Sequence, residues 1–445
     1  MRDEKNTYDI AILGAGPGGY ASAIRAAQLG KKVVIIEKDE VGGTCLNYGC
    51  IPTKTIQAST KLYSKFKKAA QFGISADNLS IDLKKIIERK DIVVGKLRKG
   101  LQYLFKENKI ELIKGKGTLK NCSNIEVAGE QKKTISASKI ILATGSSVST
   151  VPDLALDEKT VLSSNGILKL DTIPQKMAII GAGAIGIEFA CIFNELGSKV
   201  TIYEVQHQIL PTEDGEISRS LQQLLEKKGI EIKLNESIKR TTDYEIILLA
   251  AGRKHNTDHF KEIGIELHKN KVVVNEKMET NLLGVYAIGD IAGRYMFAHT
   301  ASKEGLVAAE NACGGNLKME YHSVPRCTYS DPPVASIGHS EEEAKKLHGS
   351  IKVGKFPLMA NSKSMIEDER DGFIKIITDP SDKVIGVHIL GGNATEIIGE
   401  AALAVNKGLK LEDIINTIHA HPTVYESIYE AAENVLKRSI AIINK

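Results

Sequence analysis

At 445 residues the chain has room for about three domains of ordinary size. Its 42% hydrophobic and 26% charged residues fit a globular protein with several cores, and a net charge of +4 excludes a strongly basic nucleic-acid binder and an acidic disordered tail. The longest uncharged stretch, Ile10 to Ile24, has 15 residues with four Gly and a Pro. A bilayer span needs about 20 apolar residues, so no membrane insertion is expected.

In chain order, Met1-Arg2-Asp3-Glu4-Lys5 is too charged to read as a secretion signal. An apolar run from Tyr8 to Leu13 then predicts a strand. Gly14, Gly16 and Gly19 follow as G-x-G-x-x-G, Leu29-Gly30 ends a helix, and a β-branched strand closes on Glu37. The succession recurs from Met177, with Gly181, Gly183 and Gly186, then Leu196-Gly197, then a strand closing on Glu204. In both units Leu-Gly falls at offsets 15 and 16 from the first Gly, and the acid at offset 23. The glycines allow a tight strand-to-helix turn and close approach to a pyrophosphate, while the acid suits ribose hydroxyls. One such motif is also explained by a plain glycine turn. Two in register predict two bound dinucleotides.

Immediately after Glu37 comes Gly42-Gly43-Thr44-Cys45-Leu46-Asn47-Tyr48-Gly49-Cys50-Ile51-Pro52-Thr53-Lys54. In a regular helix two Cys five apart are separated by about 7.5 Å of rise. A disulfide needs Cα atoms within about 7 Å, so a redox pair here requires a break in the helix, for which Gly49 and Pro52 are suited. A thiol near a helix start is easily ionised. Two small buried residues in a turn are the plainer alternative. The six Cys are too few and too scattered for a secreted disulfide scaffold and lack zinc spacings, so a reducing compartment, the cytoplasm, and no metal are expected.

Each dinucleotide unit ends on a strand running into Gly: Ile140-Ile141-Leu142-Ala143-Thr144-Gly145 and Ile246-Ile247-Leu248-Leu249-Ala250-Ala251-Gly252. Val285-Tyr286-Ala287-Ile288-Gly289-Asp290 belongs to neither start, which suggests that the first domain resumes there. From Pro325 the pattern changes to strands at 372–377 and 384–389 and helical periodicity at 394–407 and 424–442, an α+β domain. Near the C-terminus stands His419-Ala420-His421-Pro422-Thr423-Val424-Tyr425-Glu426. Thiol–disulfide exchange needs a base, and a His oriented by a carboxylate serves near neutral pH. Read alone, a His before Pro is more often part of a structural turn, and spacing alone does not bring it to the Cys pair.

Taken together, GAGPGGY, GGTCLNYGCIPTK, GAGAIGIE, VYAIGD and HAHPTVYE, in this order over the whole chain, resemble the flavoprotein disulfide reductases. The resemblance implies an α/β fold class: two Rossmann-like dinucleotide-binding domains, for FAD (1–146 with 275–320) and NAD (147–274), plus a C-terminal α+β dimerisation domain (321–445). It implies that Cys45 exchanges with substrate and Cys50 faces the flavin, with His421 as base and Glu426 as its partner, acting across a homodimer. Lys54 and Glu188 match an ion pair beside the flavin, although two helix-surface charges would look the same. Besides the glycines and Glu37, the FAD site would take Thr44, Gly117, Thr144, Gly145, Asp290 and Ala298. On the NAD side Ile238 and Gly252 would join Glu204.

Glu204 suits a free ribose 2′-OH and repels a 2′-phosphate, and Val205-Gln206-His207-Gln208 offers no Arg to receive one, so NAD is expected over NADP. That weighs against a glutathione-reducing type. Members that reduce mercuric ion carry a C-terminal Cys pair and lack the final His, whereas this chain keeps His421 and ends Ile442-Ile443-Asn444-Lys445. The expected activity is oxidation of dihydrolipoamide with NAD⁺, in the service of 2-oxoacid dehydrogenase complexes or glycine cleavage through their lipoyl domains. Two departures stand out. Only residues 235–244 lie where the family places a small β-meander, and His255 replaces Pro in Gly252-Arg253-Lys254-His255. The trimmed connection raises the expectation of exposed apolar surface or weakened NAD binding, and with it the alternative of a flavoprotein that works mainly through a partner.

Overall fold

The computed structural model describes residues 6–75, 77–129, 132–152 and 154–444; the charged start, Met1–Lys5, lies outside them. The first unit runs β1 (Thr7–Leu13), α1 (Pro17–Gln28), β2 (Val33–Glu37), α2 (Gly43–Tyr48), α3 (Cys50–Lys67), α4 (Leu83–Glu107), β3 (Glu111–Lys114), β4 (Lys116–Asn121), β5 (Asn124–Ala128) and β6 (Lys133–Leu142). A second follows: β7 (Ser146–Val148), β8 (Val161–Leu162), β9 (Lys176–Ile180), α5 (Ala184–Leu196), β10 (Lys199–Glu204), α6 (Gly215–Lys227), β11 (Glu231–Leu234) and β12 (Ile246–Leu249). The chain continues through β13 (Arg253–His255), β14 (Leu267–His268) and β15 (Lys271–Val272), and along this stretch Phe260, Ile265 and Val272 pack on the core of the first unit, so the return to that unit comes earlier than residue 275. Then come β16 (Val285–Ala287), α7 (Ala298–Ala312), β17 (Arg326–Thr328), β18 (Val334–Gly338), α8 (Glu341–His348), β19 (Lys352–Pro357), α9 (Ser362–Ile366), β20 (Phe373–Thr378), β21 (Val384–Leu390), α10 (Ala394–Lys407), α11 (Leu411–Ile415) and α12 (Glu426–Val435).

The first sheet has the order β3-β2-β1-β6-β5-β4, and β16 adds to β6 in parallel. Under α1, α4 and α7 on one side, and under β4, β5 and the stretch with Phe260, Ile265 and Val272 on the other, β1 and β2 are buried on both faces. Their carboxyl ends, with those of β6 and β16, line one edge, where ligands of open α/β sheets sit. α1 and α7 approach so closely that a Cβ on Gly305 would lie 2.4 Å from the Gly18 carbonyl oxygen. Glycine at both positions is what seats the start of α7 beside the glycine turn.

The second sheet, β11-β10-β9-β12-β8, is parallel throughout. Between β11 and β12 the described chain has only a 3-10 turn, Thr241–Asp243, and no further strand. The expected exposure of apolar surface is not found. Leu154, Tyr203 and Tyr244, with Ile238 at the edge, bury Ala178, Ile247 and Leu249 completely or nearly so. Tyr203 and Tyr244 share a hydroxyl hydrogen bond of 2.9 Å, and Lys233 and Lys176 lie over their rings. Two aromatic rings with polar tips cover the face.

The third sheet, β17-β18-β21-β20-β19, is antiparallel. Ala335, Ile337, Ile374, Ile376, Val387 and Ile389 face α10 and α12, while Val334, Phe373 and Leu390 pack on the core of the second unit. α12 covers less than the periodicity of 424–442 predicts. Lys437 turns to φ +58°, and the N–H groups of Lys437 and Arg438 return to the carbonyls of Asn434 and Glu433, closing the helix.

Candidate active site

The thiol pair sits on a broken helix. α2 stops at Tyr48, and Gly49 takes φ −143°, ψ −111°, well away from helix, with Cys50 first in α3. A Cβ at Gly49 would lie 3.1 Å from the Thr44 carbonyl oxygen, so the fold of the chain here favours glycine. Gly49 makes the break alone. Pro52 lies in the first turn of α3, where its missing N–H costs nothing. Cys45 and Cys50 are both thiols here, half-buried and hydrogen-bonded to each other. That bond from Cys45, helped by the Lys54 ammonium one turn on and by the Cys50 backbone N–H, lowers Cys50 to about 7 against the opposing effect of burial. Holding the shared proton, Cys45 is pushed far up. The pair is therefore poised to lose its first proton near neutral pH, and the Lys54 ammonium favours the thiolate on the Cys50 side.

Lys54 and Glu188 are not surface charges. Lys54 Nζ lies 2.6 Å from Glu188 Oε2, and the glutamate side chain is 7% exposed. Tyr329, just beyond β17, completes the arrangement: its backbone N–H donates to Glu188 Oε1 at 3.0 Å, its ring lies 4.6 Å from Lys54 Nζ, and its carbonyl accepts from Gln57 Nε2. Thus α3, α5 and the third sheet meet on one ion pair.

The two glycine turns repeat in atomic detail. The Ala15 N–H donates to Glu37 Oε2 at 2.7 Å and the Asp39 N–H to Oε1 at 2.9 Å. The Ala182 N–H donates to Glu204 Oε2 at 2.7 Å and the Gln206 N–H to Oε1 at 2.9 Å. Each acid is thereby fixed at a strand end with lone pairs to spare. A Cβ at Gly14 would lie 2.3 Å from Ala143 O, at Gly19 1.9 Å from Gly14 O, and at Gly186 2.0 Å from Gly181 O. Gly16 meets nothing nearer than 3.9 Å, and Gly183 nothing within 4 Å, so each turn leaves open space where a pyrophosphate would lie. The residues fit dinucleotides at both turns.

Around the first turn, Thr144 Oγ1 donates to Asn256 O at 2.8 Å, Asn256 Nδ2 donates back to Thr144 O at 2.9 Å, and Gly145 bends at φ +67°. Ser146 Oγ donates to Asp290, and Arg253 Nε to Ser146 Oγ at 2.6 Å, with Arg253 Nη2 3.4 Å from Thr44 Oγ1. Gly117, in β4, packs on Leu13 and Ile36, where a Cβ would lie 2.3 Å from Leu13 Cδ1. Ala298 opens α7, whose N-cap Phe297 has no side-chain bond to the first turn. Glu304, 1% exposed, accepts the Gly289 N–H at 2.6 Å and the Tyr321 hydroxyl at 2.7 Å, and burial pushes it up to about 7. At the second turn Gly252 takes φ +108°, and the Glu236 N–H donates to Glu204 O, leading the chain to Ile238. The motifs did not reveal Ser146, Asn256, Glu304, Tyr321 or Tyr329.

His421 Nδ1 lies 2.9 Å from Glu426 Oε1, and the Thr423 N–H donates to Glu426 Oε2 at 2.9 Å. Burial would raise Glu426, but that N–H and His421 hold it below its ordinary value. The imidazole is 68% exposed, and among the described residues no hydrogen bond joins it to either thiol of its own chain.

The chain belongs to the pyridine nucleotide-disulphide oxidoreductase family, which it matches over residues 8–305, and it matches that family's dimerisation domain over 324–432. It is an oxidoreductase whose cofactors are FAD and NAD. Among its relatives, the mitochondrial dihydrolipoyl dehydrogenase of Pisum sativum is 40% identical, over 98% of this chain and 92% of that one. Dihydrolipoyl dehydrogenase of Bacillus subtilis is 39% identical, over 96% of this chain and 97% of that one. Among solved structures, LpdA of Mycobacterium tuberculosis has a TM-score of 0.89 at 26% identity, covering 96% of this chain and 99% of that one. The match to the dimerisation domain supports a homodimer.

Proposed function

We propose that this protein oxidises protein-bound dihydrolipoamide to lipoamide and reduces NAD⁺ to NADH through the Cys45–Cys50 pair. The observation that carries this is the thiol pair on the broken helix, with its thiolate stabilised on Cys50 by Lys54. Starting from the disulfide, a substrate thiolate attacks Cys45 sulfur and breaks the Cys45–Cys50 bond. The second substrate thiol then attacks its own mixed disulfide and releases Cys45 as a thiol. Lipoamide leaves oxidised, and the pair holds two electrons. His421 accepts the substrate proton, held in position by Glu426. In the proposed dimer it serves the partner's thiol pair, a reading that its 68% exposure in its own chain leaves room for. FAD, when bound, carries the two electrons between the thiol pair and the nicotinamide.

In this account residues 1–146 with 275–320 hold FAD, 147–274 hold NAD, and 321–445 form the dimer. Gly14, Gly16, Gly19 and Glu37, with Thr44, Gly117, Thr144, Gly145, Asp290 and Ala298, form the FAD cradle, beside which Lys54 and Glu188 stand. Gly181, Gly183, Gly186, Glu204, Ile238 and Gly252 serve NAD. The partners are lipoyl domains, and the compartment is the cytoplasm. No described helix is long and apolar enough to cross a membrane. Purified yellow enzyme supplied with dihydrolipoamide is expected to reduce NAD⁺ steadily and NADP⁺ poorly. A flavin that dihydrolipoamide reduces but that passes nothing to NAD⁺ would overturn the nicotinamide half and favour action through a partner.

A further inference from the structure

One row of residues crosses all five strands of the third sheet in register: Arg326 pairs with Ser336, Ser336 with His388, His388 with Lys375, and Lys375 with Lys355. Three of these are permanent cations, and all three end on a short acidic segment of the second unit. Arg326 Nε lies 3.1 Å from Glu213 Oε1. Lys375 Nζ lies 3.0 Å from Asp214 Oδ1 and 3.2 Å from Glu216 Oε2, and Lys355 Nζ lies 2.6 Å from Glu216 Oε1. Glu341 of α8 joins from the sheet's own side, its Oε2 2.6 Å from Lys375 Nζ and its N–H donating to Asp214. Lys375 is 1% exposed and Asp214 2%. Lys375 is held among three carboxylates, and removing its ammonium would leave the buried Asp214 carboxylate uncompensated.

The acidic segment is the far end of the loop that begins at Glu204. Leu210, inside that loop, adopts φ +43° with its side chain buried, a conformation that persists only where its surroundings impose it. On one side the Leu210 N–H donates to Ala182 O, within the glycine turn whose Ala182 N–H holds Glu204. On the other, the Glu213 N–H donates to Leu210 O, and Asp214 caps α6 through the Glu216 N–H. The strained loop is thus pinned between the dinucleotide turn and the cation row.

We propose that Lys375 is a positioning residue for NAD: by anchoring Asp214 it fixes loop 205–214 and, through Leu210, the glycine turn and Glu204. This rests on the assignment of NAD to the second turn. The third domain, which carries the dimer contacts, thereby sets NAD affinity without touching the nucleotide.

The test uses the FAD-loaded dimer. In Lys375→Met the NAD⁺ dissociation constant from calorimetry and the KM for NAD⁺ should rise about tenfold, within the usual range of coupling between sites. The rate at which dihydrolipoamide alone reduces the flavin should stay unchanged, and Lys375→Arg should recover most of the affinity. Should Lys375→Met not fold, Asp214→Asn decides. It is isosteric, still caps α6, and should raise the NAD⁺ dissociation constant with flavin reduction intact. Unchanged NAD⁺ affinity in a folded variant, or an equal loss in flavin reduction, would overturn the proposal. Native enzyme that binds no NAD⁺ would instead overturn the assignment beneath it.

Discussion

Replacing Lys54 by Met removes the cation that most directly supports the Cys50 thiolate. The two residues are four apart in α3, so their side chains start about 5–6 Å apart on one helix face. At an effective dielectric of about 20, unit charges about 6 Å apart interact by roughly 3 kcal/mol, or about two pH units. Lys54 is 30% exposed, and solvent screening reduces this to about one to two. Loss of a neighbouring cation disfavours the thiolate, so the shift is upward. Alkylation by iodoacetamide, quantified at Cys50 by peptide mass spectrometry of the reduced dimer, should show a half-maximal pH near 7 in the native protein. In Lys54→Met it should move up by about 1–2 units. The variant also strands Glu188, at a stability cost of about 3–5 kcal/mol. Pairing it with Glu188→Gln should restore most of that stability and leave an upward shift. An unmoved or lowered midpoint would show that Lys54 does not act on the thiolate.

Three further outcomes are expected. Glu304→Gln should become progressively more stable than the native protein as pH rises. The buried carboxyl titrates near 7 against an ordinary 4.5, so its contribution is present below 4.5 and lost as pH rises through 7, on the order of 1–3 kcal/mol. Thermal midpoints at pH 5 and pH 8 check this, and a constant difference would contradict it. His421→Gln should lower turnover by about 10² or more with FAD still bound, whereas an unchanged rate would make the C-terminal motif structural. Cys50→Ser should retain FAD and lose dihydrolipoamide oxidation; retained activity would contradict the disulfide step.

What the sequence revealed was local in spacing. The glycine turns, the acids 23 residues on and the Cys pair are each set within about one βαβ unit, so their periodicity and offsets suffice. Helix rise called for a break if the two Cys were to pair, and residue type offered Gly49 and Pro52, of which Gly49 makes it. The groups that escaped notice come from afar: Tyr329 meets Glu188 across 141 residues, and Lys375 meets Asp214 across 161. Nothing in the local pattern of either residue distinguishes it from a strand-end Tyr or a surface Lys. The strand expected at 372–377 forms as Phe373–Thr378, and acidic groups of the second unit reach its buried Lys375 from far away in sequence. The short connection at 235–244 was legible in the sequence, but the Tyr203–Tyr244 contact that covers the neighbouring strands required the fold.

In the proposed reaction Cys45 and Cys50 together hold the two electrons taken from dihydrolipoamide. Counting alkylatable thiols at both positions, before and after one anaerobic equivalent of dihydrolipoamide without NAD⁺, tests it most directly. Neither cysteine should react in the oxidised enzyme, and alkylatable thiol should appear at the pair after reduction and be lost again when NAD⁺ is added. Thiols already free in the oxidised enzyme, or unchanged by dihydrolipoamide, would contradict it.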